Sequence, residues 1–180
     1  LPETGQYDCF GIAYGYGCII EKENPFFGQD GQFITNPFDY QDNIDGTITD
    51  FITNLTWQKC SMGLSGIDCA NGNITQDSWN NAILACESLN QISLAGLSDW
   101  RLPTDNELIS LVNYGTVYPA IEKYYFPETS SDSYWAQNVM TNNSSQAWVV
   151  HFLEGEVRIE NKTELNLIRC VSGNTWLPLQ

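Results

Sequence analysis

Residues 98–108, Ser-Asp-Trp-Arg-Leu-Pro-Thr-Asp-Asn-Glu-Leu, constrain this chain more than any other stretch. Pro103 holds Leu102 extended. Thr104 can cap a helix, and Glu107 stands three residues later, so the two can satisfy orphan amides reciprocally. Asp105 adds negative charge where the helix dipole is positive. Leu108, Leu111 and Val112 follow at helical spacing, which predicts a helix from about Asp105 to Asn113, stopping at Gly115, with one buried face. Trp100 reads as a core anchor. Arg101 is a fixed cation with a planar fork of donors, so it reads as a tie between loops rather than a proton carrier.

Other elements follow from local patterns. Residues 42–57 read as a β-hairpin around Asp45-Gly46, with Thr47, Ile48, Thr49, Phe51 and Ile52 beyond the turn. Thr75 or Asp77 is expected to cap a first helix, whose face carries Trp79, Ala82, Ile83, Cys86 and Leu89. Residues 114–133 form a long loop with Tyr118, Tyr124, Tyr125 and Phe126, candidate ligand or partner contacts if exposed. Strands are predicted at 133–138, 146–153, 156–160 and 165–171, with Trp135, Trp148 and Phe152 filling the core. Residues 138–146 between them read as a polar surface loop. Residues 1–34 form a separate arm rich in Gly and aromatics, including Tyr7, Phe10, Tyr14, Tyr16, Phe26, Phe27 and Phe33. Such an arm builds no core alone. It docks on residues 35–180 in cis or on a neighbour in trans, and the sequence leaves both open.

The order of these motifs resembles the Lcl C-terminal domain family, named for the Legionella collagen-like adhesin. The resemblance rests on Trp100-Arg101-Leu102-Pro103-Thr104 with Glu107-Leu108, on residues 42–50 and 55–59, and on Trp79, Ala82, Cys86, Leu89 and Leu94-Ala95-Gly96. It continues through Tyr134-Trp135, residues 147–152 and Arg169-Cys170-Val171, covering about residues 24–171. The resemblance implies an α+β, C-type-lectin-like fold: two helices on a small, twisted, mostly antiparallel sheet. Trp57, Trp79, Trp100, Arg101, Thr104, Glu107, Trp135 and Trp148 would be its anchors. It also implies a disulfide Cys86–Cys170; the other cysteines are expected to pair locally, Cys9–Cys18 and Cys60–Cys69. Such domains occur in bacterial surface and secreted proteins, and the named adhesin binds sulfated polysaccharide.

Charge narrows the partners. The 180 residues carry a formal net charge of -15 with only seven Lys and Arg, which repels nucleic acid and disfavours sulfated glycans. Six cysteines point to disulfides and an oxidising, extracellular compartment. With a single His and no C-x-x-C pair, zinc is disfavoured. No apolar run reaches membrane-span length and no signal peptide is present, so the chain reads as a mature exported product. Leu1-Pro2-Glu3-Thr4-Gly5 fits a sortase motif but stands at the wrong end. Asp39, Asp42, Asp45 and Asp50 invite a calcium reading. An EF-hand loop fails there, because Gln41 stands where Asp is needed and Ile52 where Glu is needed. No cofactor is therefore expected, calcium in another geometry being the alternative.

Catalytic patterns are sparse. The lone His151 sits in a strand, and no nucleophile elbow exists. Sequons begin at Asn54, Asn73, Asn142, Asn143 and Asn161, of which Asn142, Asn143 and Asn161 fall in expected loops and are candidate glycosylation sites. Two functions follow as expectations. One is a non-enzymatic, adhesive or structural surface protein that contacts other surface proteins or itself, with the arm as a fibre-forming device. The alternative is a lectin-like domain for neutral glycans.

Overall fold

A computed structural model describes residues 38–175. The arm at 1–34 and its Cys9–Cys18 pair lie outside these residues.

The chain opens with three short antiparallel strands, β1 (Tyr40–Asp42), β2 (Thr47–Asp50) and β3 (Leu55–Gln58). Gly46 at φ +90° closes the first turn as the Asp-Gly dipeptide predicts. Phe51 and Ile52 lie in the second turn rather than in a strand, because Asp50 Oδ1 accepts the Ile52 and Thr53 N–H groups and reverses the chain early. A small hairpin follows, with β4 (Leu64–Ser65) inside the Cys60–Cys69 clip and β5 (Asn71–Gly72) just beyond it. Next come β6 (Gln76–Asp77), helix α1 (Trp79–Gln91), a 3-10 turn at Leu94–Gly96 and helix α2 (Asp105–Ile109). The chain ends in β7 (Ser133–Met140), β8 (Asn143–His151), β9 (Glu156–Asn161), β10 (Asn166–Leu167) and β11 (Val171–Ser172).

The architecture is α+β with mostly antiparallel pairing, as expected, but the strands divide among three sheets. One runs β1-β2-β3-β11, a second β6-β10-β7-β8-β9, and the third is β4-β5. The expected single strand at 165–171 is two: β10 lies parallel to β7, and β11 pairs with β3. Arg169 between them turns its guanidinium into the core, and that crossing carries the chain from one sheet to the other.

The apolar run Ala147–Phe152 explains the layering. β8 is central, so alternate residues face opposite sides and both are covered. Val150 and Phe152 join Tyr134, Leu167, Ile48, Leu55, Trp57 and Leu108 in one core. Val149 and Ala147 join Trp135, Trp100, Ile168 and the α1 face Ala82, Cys86 and Leu89 in the other. Cys86–Cys170 staples α1 to the approach to β11.

Three local expectations need correction. Helix α1 is capped by neither Thr75 nor Asp77. Its N-cap is Ser78, with Asp77 one residue outside, where Oδ1 accepts from Ser78 N–H and Asn81 Nδ2. Helix α2 ends at Ile109, not Asn113, because the 110–112 amides turn back to carbonyls three residues earlier and tighten the last turn. The polar loop at 138–146 is instead strand: β7 and β8 turn at 141–142. Amide side chains suit this exposed end of the strand, where Asn143 Nδ2 donates to Gln146 Oε1 along β8.

Candidate functional site: an open strand edge beside an aromatic shelf

The stretch that dominates the sequence forms the most completely satisfied corner of the fold. Thr104 Oγ1 accepts from Glu107 N–H, and Glu107 Oε2 accepts from Thr104 N–H at 2.8 Å, completing the capping box. Arg101 grips the fully buried Glu107 carboxylate with both arms, each at 2.8 Å, and its Nε and Nη2 donate to Gly173 O. Trp100 is buried, its backbone held at both N–H and C=O by the Asn90 side chain and its Nε1 by Leu94 O. Arg101 therefore ties loops, and it also lines a small cleft of about 120 Å3 with Ile83, Glu87, Leu102 and Gln137.

Of the other anchors, Trp57 and Trp135 are fully buried, and Trp135 Nε1 donates to Asp77 O. Trp79 and Trp148 are only half-buried. Trp79 Nε1 reaches Ala136 O, with Lys162 Nζ 3.7 Å above its ring.

The far end of the molecule is built differently. Register and turn bonds fix which way β1 faces. Tyr40 lies opposite Asp50 and Gln41 opposite Thr49. Phe51 N–H donates to Asp39 O and Asn43 N–H to Thr47 O. Residues 39, 41 and 43 thus point their backbone groups at β2. By the alternation of antiparallel ladders, Tyr40 and Asp42 point theirs outward. Among the described residues nothing pairs with that edge.

An aromatic shelf adjoins it. Phe38 stacks on Tyr40 at 5.6 Å, and Tyr40 meets Tyr125 and Phe126 edge-on at 5.3 and 5.4 Å. Tyr124 meets Tyr125 edge-on at 5.0 Å. Tyr124 is 80% exposed and Tyr118 61% exposed, whereas Tyr125 is half-buried. Phe126 is not a surface contact: it is fully buried, with the Arg169 guanidinium 5.1 Å from its ring. Tyr40 Oη is buried without a hydrogen-bond partner among the described residues. Burial pushes the Tyr40 hydroxyl pKa well above the usual tyrosine range, helped by the charges of Asp50 and Glu122.

A cleft of about 300 Å3 opens at the turn end of the same sheet. Ile44 and Ile67 are its lips, 84% and 75% exposed. Ile44 sits at φ +61°, a strained setting for a β-branched residue, where Asp42 Oδ1 accepts its N–H. On the floor, Lys59 Nζ lies 2.7 Å from Asp42 Oδ2. Burial pushes the Asp42 carboxyl up, but the hydrogen bonds from Lys59 and Ile44 outweigh it and hold it below the usual value.

The four aspartates of the calcium reading do not converge. Asp42 serves Lys59, Asp45 accepts from Thr47 N–H and Oγ1, and Asp50 holds Ile52 and Thr53. Among the described residues no three His, Cys, Asp or Glu side chains cluster as metal ligands. His151 Nδ1 accepts from Leu153 N–H, which leaves the proton on Nε2, 3.9 Å from Asp132. Asn142, Asn143 and Asn161 are all exposed at one end of the five-stranded sheet, with Asn143 Oδ1 accepting from Ser145 N–H and Oγ.

Sequence reasoning missed Arg169. It is fully buried and donates to Gln58 O, Lys59 O, Ser61 Oγ and Thr129 Oγ1. The available signal was a lone cation inside the apolar run 167–171, which demands buried acceptors. The open edge of β1 left no such signal.

Among the described residues no helix is long and apolar enough to cross a membrane. No curated protein matches the chain. A family model does, the Lcl C-terminal domain, over residues 46–172.

Proposed function

The chain belongs to the Lcl C-terminal domain family, and from that membership we propose a non-catalytic, adhesin-like domain of the bacterial cell exterior that works through protein–protein contacts. The arm at 1–34 is its assembly device, by which copies join into a fibre. One observation carries this reading: an aromatic cluster with Tyr124 in solvent, and a β1 edge unpaired among the described residues, stand where the arm joins the domain. Two disulfides suit an oxidising exterior, and the net charge of -15 suits a soluble surface particle. Two helices and mostly antiparallel strands fit the C-type-lectin-like fold that the family implies. No cofactor enters the reading, since contact surfaces need none.

Light scattering and electron microscopy of the full chain test it. Large assemblies are expected, and removal of residues 1–34 abolishes them while circular dichroism stays that of a folded domain. A truncated protein that still assembles rules the arm out.

The exposed rings of Tyr118 and Tyr124 favour a second reading, a neutral-glycan site. An array of neutral sugars would then bind saturably, and Tyr124→Ala would weaken binding. A blank array at high protein concentration removes it. Exposed Asn142, Asn143 and Asn161 would carry glycans of their own only if the intact mass exceeds that of the sequence.

A further inference from the structure

We propose that the outer edge of β1 accepts an added β-strand, and that its occupant is a segment of residues 1–34 from a second copy of this chain. The inference rests on the assembly reading above and gives that reading its receiving surface.

Two other sheet edges are protected in recognisable ways. β11 is covered, because Arg101 and Val171 exchange both backbone hydrogen bonds. β9 carries Glu156, Arg158 and Glu160 along its length, a charged edge that resists pairing. Among the described residues nothing covers β1, and its one charged side chain, Asp42, is engaged by Lys59 rather than spread along the edge. Its outward N–H and C=O groups belong to Tyr40 and Asp42, and its sequence is Tyr-Gln-Asp with aromatic rings beside it. An unprotected edge of this kind is a template for an extended chain: main-chain bonds supply affinity and neighbouring apolar contacts supply fit.

The occupant follows from what this chain brings to β1. Thirty-seven residues precede Phe38, enough to span roughly 120 Å when extended. Their central run, residues 9–20, contains no charged side chain, although the whole chain is acidic. An uncharged, aromatic strand suits a Tyr-rich edge better than any charged part of a second copy would. On the assembly reading the arm acts in trans, and concentration dependence separates this from pairing in cis.

Hydrogen exchange of the unmodified full chain, resolved at single amides and run across a range of concentrations, tests this. The Tyr40 and Asp42 amides are expected to slow by about 100-fold or more on assembly, and to exchange freely on dilution to monomer. Asp42→Pro removes one outward N–H and leaves the Asn43 and Phe51 turn bonds, so with its melting temperature checked it should prevent assembly. Assemblies whose Tyr40 and Asp42 amides exchange as fast as in the monomer would overturn the proposal and leave arm-driven assembly standing. Protection independent of concentration would overturn it too, because the occupant would then be the chain's own arm. A full chain that stays monomeric, with both amides unprotected, would remove the proposal and the assembly reading together.

Discussion

The corner around Arg101 and the end around Tyr40 are both built from aromatics, acids and a strand edge, yet they are finished differently. At the corner, Glu107 is fully buried and answered by a two-armed guanidinium, the Trp100 backbone is held by Asn90, and the edge of β11 is covered. At the other end, Tyr40 buries its hydroxyl unanswered, Tyr124 and Ile44 stand in solvent, and the edge of β1 is bare among the described residues. A buried polar group left unpaired destabilises the fold, whereas a paired one does not. The difference teaches that the polar groups named at the corner are answered within the fold, whereas at the β1 edge a hydroxyl and a strand edge are left unanswered among the described residues.

The sharpest way to break that division is to cut the corner's staple. Replacing Cys86 and Cys170 by Ala opens a link across 84 residues of chain. On the loop-entropy model this costs about 4–5 kcal/mol. Denaturant unfolding measures it, and the same model gives about 3 kcal/mol for Cys60–Cys69. A loss for Cys86–Cys170 no larger than that for Cys60–Cys69 would show that the corner is not where stability is held. Next in size is Arg101→Leu. It removes both guanidinium bonds to the buried Glu107 carboxylate and is expected to cost about 3 kcal/mol, the low end for a broken buried pair because Arg101 retains some exposure. Both variants should leave assembly unchanged wherever the domain remains folded. Loss of assembly in a folded Arg101→Leu protein would mean that the two ends are coupled.

The two ends also differ in how well the sequence announced them. Thr104, Glu107 and Trp100 are legible because capping and helical spacing are local: all the partners of the capping box lie within four residues. Arg101 reads correctly as a tie, but its grip on Gly173 spans 72 residues and no pattern marks it. Arg169 fails for the same reason, since its acceptors lie 40 to 111 residues away. Phe126 was placed among the surface candidates because it follows Tyr124 and Tyr125 in one loop. Only the fold shows that the loop turns Phe126 beneath the Arg169 guanidinium while Tyr124 stays outside. Strand period predicts the alternation of β8, yet nothing local tells the residues of β10 and β11 that they belong to different sheets.

A smaller effect sharpens the comparison from the open end. Tyr40→Phe deletes a hydroxyl that has no partner among the described residues and keeps the ring contacts with Phe38, Tyr125 and Phe126. Stability should rise by about 1 kcal/mol, since the hydroxyl is desolvated for no bond. The corresponding change at Trp100, whose Nε1 is bonded to Leu94 O, has no such gain available. A Tyr40→Phe protein less stable than its parent would show that the hydroxyl is satisfied after all. The open end would then be as finished as the corner.

The smallest effect is electrostatic, and its sign is distinctive. Asp50 lies opposite Tyr40 in the ladder and is buried. Burial raises its carboxyl pKa and the charge of Asp39 adds to this, although hydrogen bonds from Thr53 and Ile52 pull it down. A group with a raised folded pKa contributes stability that is fully present below its unfolded value, about 4 for Asp, and is lost as pH rises through the folded value. Asp42 has the opposite sign: its lowered value contributes stability above about 4, which is lost as pH falls through the folded value. Asp50→Asn keeps the acceptor for the Ile52 and Thr53 amides and removes the buried charge. Relative to its parent it should therefore gain stability at about pH 7 and lose that advantage near pH 4. Asp42→Asn should be weaker than its parent at about pH 7 and converge with it only as pH falls below about 4, through the lowered folded value. Melting temperatures of the three proteins across this range measure both slopes. Equal pH dependence in Asp50→Asn and its parent would mean that the charge beside Tyr40 is not held at a cost, and would leave the open end no electrostatic reason to differ from the corner.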